Sequence, residues 1–131
     1  MLNMDNVQFE REWTNLGVKI CQLIYSDPQT QELKEVLQKQ GYLSLEEKSK
    51  FIDLCDTIKY QTIYQTYGAE GSEGYEKFVK TWNAWFQNKG VSSTDSRGQR
   101  NSVDHILFGS TPDPEEFLLH FEEENPSSAQ A

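Results

Sequence analysis

Residues 9–23 read FEREWTNLGVKICQL, and their large apolar side chains recur at alternating intervals of four and three. That spacing places the apolar side chains on one face of an α-helix. It predicts a first helix from about Asp5 to Tyr25, in which Gly17 can admit a close neighbour. The face can pack in the protein's own core or pair with a second copy of the chain, and the pattern allows both. Its members are Phe9, Trp13, Leu16, Ile20 and Leu23.

Helix-start signals recur along the rest of the chain. Asp27 and Pro28 read as an N-cap followed by proline at the first helical position, and Ser44 with Glu47 forms a capping-box pattern. Asp113 followed by proline repeats the first signal near the end of the chain. A strand is an alternative for residues 60–67, which are rich in Tyr and Thr. The predicted helices cover residues 28–40, 44–67 and 72–90, with a short last helix from 113.

These signals predict an all-α fold in a single small domain. We expect an antiparallel bundle of about four main helices plus a short C-terminal amphipathic helix, because the connections between the predicted helices are short. The domain is predicted to span residues 1–124. Within it, the polar residues 91–104 are predicted to form a loop. Residues 125–131, which follow the domain, are predicted to form a disordered tail.

Charge is distributed unevenly along the chain. The formal net charge is −9, and residues 101–131 contain seven acidic residues and no Lys or Arg. Residues 1–100 carry fourteen acids against twelve bases. Such a one-sided field repels nucleic acid and acidic membranes and attracts a basic protein surface. We therefore expect a protein partner with a basic surface, and neither direct nucleic-acid binding nor membrane association.

The location of the protein is predicted from the same composition. No apolar run approaches the ~20 residues that a membrane-spanning helix requires. The first residues lack the basic and apolar regions of a secretion signal. The two cysteines, Cys21 and Cys55, do not form a disulfide framework and are expected to be buried free thiols. A cytoplasmic location is therefore expected.

The acidic end suggests a function and a set of partner-binding residues. We expect a non-enzymatic interaction or regulatory protein whose C-terminal region engages a basic protein surface, with Trp85 as an aromatic anchor if its ring is exposed. A role in keeping the domain soluble, a small structural subunit of a larger assembly and a homodimer are the alternatives. The pattern leaves open whether the last helix packs Phe117 and Phe121 on its own domain or on a partner. The predicted partner-binding residues are Trp85, Glu115, Glu116, Phe117, Phe121, Glu122, Glu123 and Glu124.

A second interpretation comes from residues 100–105, which read RNSVDH. The arginine and histidine, separated by four residues, resemble the R-x4-6-H motif of the HEPN ribonuclease superfamily. The resemblance implies a metal-independent ribonuclease in which His105 transfers protons, Arg100 stabilises the charge on the phosphate and Asn101 orients the pair. It covers six residues, and the acidic charge of the chain favours the non-enzymatic interpretation.

No metal or cofactor is predicted. Glu116, His120, Glu123 and Glu124 are spaced so that they can share a face of the last helix. Di-iron bundles, however, use Glu-x-x-His pairs, and this chain contains none. The spacing is instead typical of the polar face of an amphipathic helix, with Phe117, Leu118 and Phe121 opposite.

Overall fold

The computed structural model describes residues 6–89, 102–107 and 109–124, and these residues form six helices and no strand. The predicted all-α fold in one small domain is confirmed. The strand alternative for residues 60–67 is wrong, because this segment continues the third helix. The helices are α1 (Asn6–Ser26), α2 (Pro28–Gln40), α3 (Leu45–Tyr67), α4 (Glu73–Lys89), α5 (Ser102–Leu107) and α6 (Pro114–Glu124).

The helix starts follow the capping signals in the sequence. The Asp27 carboxylate accepts from the Gln29 backbone N–H at 2.8 Å, ahead of Pro28. At the start of α3, the Ser44 hydroxyl accepts from the Glu47 N–H at 3.1 Å, and the Glu47 carboxylate accepts from the Ser44 N–H at 2.8 Å. Each pair satisfies backbone donors that the first helical turn leaves without partners.

The second half of α3 is helical despite its β-branched residues. The hydroxyls of Thr62 and Thr66 donate to the backbone carbonyls of Ile58 and Thr62, at 2.7 and 2.8 Å. These bonds give the threonine hydroxyls a partner within the helix itself. The intrinsic preference of Tyr, Thr and Ile for strands is thereby overridden by packing and local hydrogen bonding.

Helix α1 is the centre of the domain and packs against α2, α3, α4 and α5. Four members of the predicted apolar face are buried, but Leu23 is 42% exposed and Ile24 takes its place in the core. A straight helix has 3.6 residues per turn, so a face repeating every 3.5 residues drifts out of alignment along its length. The face is covered by the protein's own helices, so it is not available for pairing with a second copy.

The short helix α5 is held against α1 and α4. The carbonyl oxygen of Leu107 accepts from the indole N–H groups of Trp13 and Trp82, at 3.1 and 3.2 Å. A Cβ atom added at Gly17 would lie 3.0 Å from Leu107 Cδ2, so glycine allows the close approach that the sequence predicted. The predicted loop over residues 91–104 is corrected at its end, where residues 102–104 belong to α5. The rest of that loop and the predicted tail at 125–131 lie outside the described residues.

Two aromatic clusters form much of the core. In one, Phe9 and Trp13 from α1 meet Phe78 and Trp85 from α4, with ring centroids 5.2–6.5 Å apart. In the other, rings from α1, α3 and α6 come together. The second cluster joins α6, the last helix, to the end of α1 and to α3. Its members are Tyr25, Phe51, Phe117 and Phe121.

Candidate interaction surface around the C-terminal helix

Helix α6 begins at the capping signal that the sequence predicted. The Asp113 carboxylate accepts from the backbone N–H of Glu116 at 3.0 Å, and its carbonyl accepts from the N–H of Phe117 at 2.9 Å. Pro114 occupies the first helical position, where the missing N–H costs nothing. The start of the helix is therefore ordered by its own residues.

The apolar side of α6 is buried in the protein's own domain. Phe117, Leu118 and Phe121 are at most 2% exposed. The ring of Phe117 lies 5.2 Å from that of Phe51, and the ring of Phe121 lies 5.2 Å from that of Tyr25. The prediction that Phe117 and Phe121 bind a partner is corrected, because both rings already fill the core.

Trp85 is likewise a core residue. Its side chain is 3% exposed and its ring meets that of Phe9 edge-on, with centroids 5.9 Å apart. Trp85 was predicted to act as an anchor only if its ring is exposed, and the ring is buried. A partner cannot reach this ring in the folded domain, so Trp85 is removed from the partner-binding set.

Glu115 stabilises the junction of α6 with α3. Its carboxylate accepts from the backbone N–H of Leu43 at 2.9 Å and lies 3.8 Å from the ammonium of Lys48. The Leu43 amide belongs to the connection between α2 and α3, so the bond spans distant parts of the chain. Glu115 therefore acts within the protein, although the sequence predicted it to bind a partner.

Glu116 is the remaining predicted residue whose side chain the structure describes, and it lies on the outward side of α6. The Glu116 side chain is 73% exposed, and its carboxylate lies 3.9 Å from His120 Nε2. Leu119 lies between them in sequence and is 55% exposed. Residues 122–124 continue the helix, but their side chains lie outside the described set. The exposed side of α6 thus combines a carboxylate, an imidazole and an aliphatic side chain.

An exposed apolar strip continues from α6 onto α3. Lys48 pairs with Glu115, and Phe51 meets Phe117, so residue numbers increase in the same direction along both helices. Ile52 lies one turn after Lys48 on α3, and Leu119 lies one turn after Glu115 on α6. Leu45, 84% exposed, lies almost one turn before Lys48 on the same face. We call Leu45, Ile52 and Leu119 the α3–α6 strip.

Sequence reasoning did not identify this strip. Leu45 lies within the capping box, a local signal that explains why a helix starts there but not why its first residue is leucine. The sequence placed Leu118 on the apolar face of the last helix but assigned no role to the adjacent Leu119, which is exposed. The sequence signal that was present is that Leu119 lies outside the apolar face predicted for the last helix.

The arginine–histidine motif lies only partly within the described residues. Arg100 and Asn101 are outside them, so the ribonuclease interpretation stays a prediction. His105 lies on α5, with its Nδ1 atom 2.9 Å from Ser110 Oγ. The same hydroxyl donates to the His105 carbonyl at 3.2 Å. Because a hydroxyl has one hydrogen, this geometry favours an Nδ1–H that donates to Ser110.

Over residues 6–89, 102–107 and 109–124, no group of three or more His, Cys, Asp or Glu side chains is placed to hold a metal ion. No helix in those ranges is both long and apolar enough to cross a membrane. Cys21 and Cys55 are buried, as predicted, and burial raises the pKa of the Cys55 thiol.

Comparison with known proteins shows no match: no protein-family model, curated protein or solved structure matches the chain. The function is therefore inferred from the residues and their geometry.

Proposed function

We propose that the protein is a non-enzymatic interaction or regulatory protein that engages a basic surface of another protein through the outward side of α6. One observation carries this proposal: α6 is anchored to its own domain by Phe117, Leu118 and Phe121, which leaves Glu116 pointing outward. Residues 101–131 contain seven acidic residues and no Lys or Arg, so this region carries a strong excess of negative charge. The setting proposed is the cytoplasm, where cysteines such as the buried Cys21 and Cys55 usually stay reduced.

Anchoring of the helix favours binding over a purely solubilising role. A segment that is already ordered loses less conformational entropy when it binds than a flexible acidic tail does. The outward carboxylate of Glu116 is held on this anchored helix, so its charge speeds encounter with a basic surface and selects against acidic ones. The faster encounter and the selection against acidic surfaces are electrostatic, so both depend on ionic strength. The Debye length falls from about 10 Å at 0.1 M to about 3 Å at 1 M.

The test is charge reversal at fixed overall charge. In one variant, Glu116, Glu122, Glu123 and Glu124 are changed to Lys. In the matched control, the exposed residues Glu32, Glu35, Glu70 and Glu76 are changed to Lys, which gives the same net charge. Each protein is immobilised and exposed to an extract of the native host at increasing salt, and the bound proteins are identified.

We expect the wild type and the control to retain the same basic proteins at low salt and to release them as the salt concentration rises. The α6 variant should not retain them. Equal recovery by the α6 variant and the wild type would show that the charge on α6 has no part in binding. Deletion of α6 is unsuitable for this test, because it removes core side chains.

A further inference from the structure

We infer that the α3–α6 strip is the docking surface for an amphipathic helix of another protein, one with apolar residues on one face and Lys or Arg at its edges. This inference rests on the proposed function and specifies its partner. It adds an apolar contact, which charge alone does not provide.

The exposed apolar residues are concentrated on this surface. Within the described residues, six large hydrophobic side chains are exposed: Leu23, Tyr42, Leu45, Ile52, Tyr60 and Leu119. Three of them form the strip, and Tyr42 precedes Leu45 by three residues. Single exposed apolar side chains are normal in folded proteins, whereas a group on one face marks an interaction site.

Charge complementarity selects the partner. Four carboxylates flank the strip: Glu46 beside Leu45, Asp53 beside Ile52, and Glu115 and Glu116 on α6. Two ammonium groups lie among them, and each has a carboxylate within about 4 Å: Lys48 with Glu115 at 3.8 Å and Lys50 with Glu46 at 4.0 Å. The surround of the strip is therefore net acidic. A second copy of this chain would place like charges opposite each other, whereas a basic segment would pair with them.

The shape of the strip fits a helix. Leu45 and Ile52 are seven residues apart on α3, which is about 10 Å along the helix axis at 1.5 Å per residue. Apolar residues at positions i and i+7 of a partner helix have the same separation, so two helices can align their apolar faces over this distance. Leu119 lies alongside on α6 and widens the apolar contact. An extended peptide would cover the same length with about three residues and would bring fewer apolar side chains to it.

The experiment compares two peptides and three variants of the full chain. The probes are fluorescent peptides of about 18 residues, or five helical turns, composed of Leu, Lys and Ala. One has its leucines on a single helix face, and the other has the same composition in scrambled order. The strip variant carries Ile52→Ser and Leu119→Ser, and Leu45→Ser serves as a second strip variant because its side chain is the most exposed of the three. The control is Leu23→Ser, an exposed leucine on α1 outside the strip.

Fluorescence anisotropy should show that the wild type and the control prefer the amphipathic peptide by about tenfold. The strip variants should lose this preference and keep salt-dependent binding to both peptides. Circular dichroism checks that every variant is folded.

Two results would overturn the inference alone: equal affinity of the wild type for both peptides, or an unchanged preference in both strip variants. In either case salt-dependent binding would leave the proposed function standing. Binding of neither peptide would overturn both proposals. Sedimentation of the wild type and the strip variants without peptide tests for pairing with a second copy. A wild-type dimer that the variant with Ile52→Ser and Leu119→Ser dissociates would assign the strip to self-association and reject the partner helix.

Discussion

The carbonyl of Leu107 is a single acceptor on which two tryptophans from different helices converge. Trp13 comes from α1 and Trp82 from α4, and the acceptor ends α5. A carbonyl oxygen has two lone pairs, so both indole N–H groups can be satisfied at once. This one residue therefore joins three helices by hydrogen bonds, in addition to the packing of their rings.

We predict that the two tryptophans are energetically coupled. In Trp13→Phe or Trp82→Phe, the Leu107 carbonyl keeps one donor, whereas the double variant leaves a buried acceptor without either indole. An unpaired buried acceptor costs about 1–3 kcal/mol. The double variant should therefore lose more stability than the two single variants together, by about 1–2 kcal/mol. Urea unfolding of the four proteins measures this difference, and additivity within about 0.5 kcal/mol would contradict it.

The start of α3 shows how a local signal defines an element. The Ser44 backbone N–H donates to the Glu47 carboxylate. This hydrogen bond is the main cause that lowers the pKa of Glu47 below its ordinary value of 4.5. Partial burial acts in the opposite direction but has the smaller effect. The hydroxyl of Ser44 and the amide of Gln40 act in the same direction. A charged Glu47 is therefore favoured by the folded state.

This direction of shift predicts a pH dependence. A carboxyl group whose pKa is lowered by folding contributes stability above its unfolded pKa and loses it as the pH falls through the folded pKa. The free energy of unfolding of the wild type should therefore exceed that of the Glu47→Gln variant at neutral pH. The difference between the two should shrink as the pH falls below about 4.5. Chemical unfolding from pH 7 to pH 3 measures it. Glu46→Gln, an exposed carboxyl in the same turn, is the control; a constant difference for Glu47→Gln would reject the prediction.

Elements with local signals were predictable from sequence, and their pairing was not. The caps at Asp27, Ser44 and Asp113 act within three residues and defined three helix starts correctly. The contacts of Phe117 with Tyr25 and Phe51 join residues far apart in the chain, and no local pattern encodes which rings meet. For this reason the apolar side of α6 was identified from the sequence, but whether it packs in the core or on a partner was left open.

At the scale of the whole molecule, α6 is part of the folding unit. Fully burying a large apolar side chain contributes about 1.5–3 kcal/mol, and a domain is stable by only about 5–15 kcal/mol. Three such side chains of α6 lie in the core. Helix α6 and the helices it packs against are therefore one folding unit.

We predict that a chain ending at Gly109 will not unfold cooperatively, because Tyr25 and Phe51 lose the rings that cover them. Phe117→Ala provides a graded version and should cost about 3–5 kcal/mol. Leu119→Ala on the exposed side should stay within about 0.5 kcal/mol of the wild type. Thermal and urea denaturation followed by circular dichroism compares them. A cooperative transition in the shortened chain, or equal effects of the two alanine variants, would contradict this prediction.

The position of Phe117 and Phe121 in the core has a consequence for biosynthesis. A ribosome makes the chain from its N-terminus, so α1, α2 and α3 emerge well before the rings that complete their packing. Until residue 121 has left the exit tunnel, Tyr25 and Phe51 lack their partners, and the nascent chain exposes apolar surface of the kind that chaperones bind. Folding to the native state is thereby restricted to chains translated at least that far, and a product of premature termination would be recognised by proteases as unfolded.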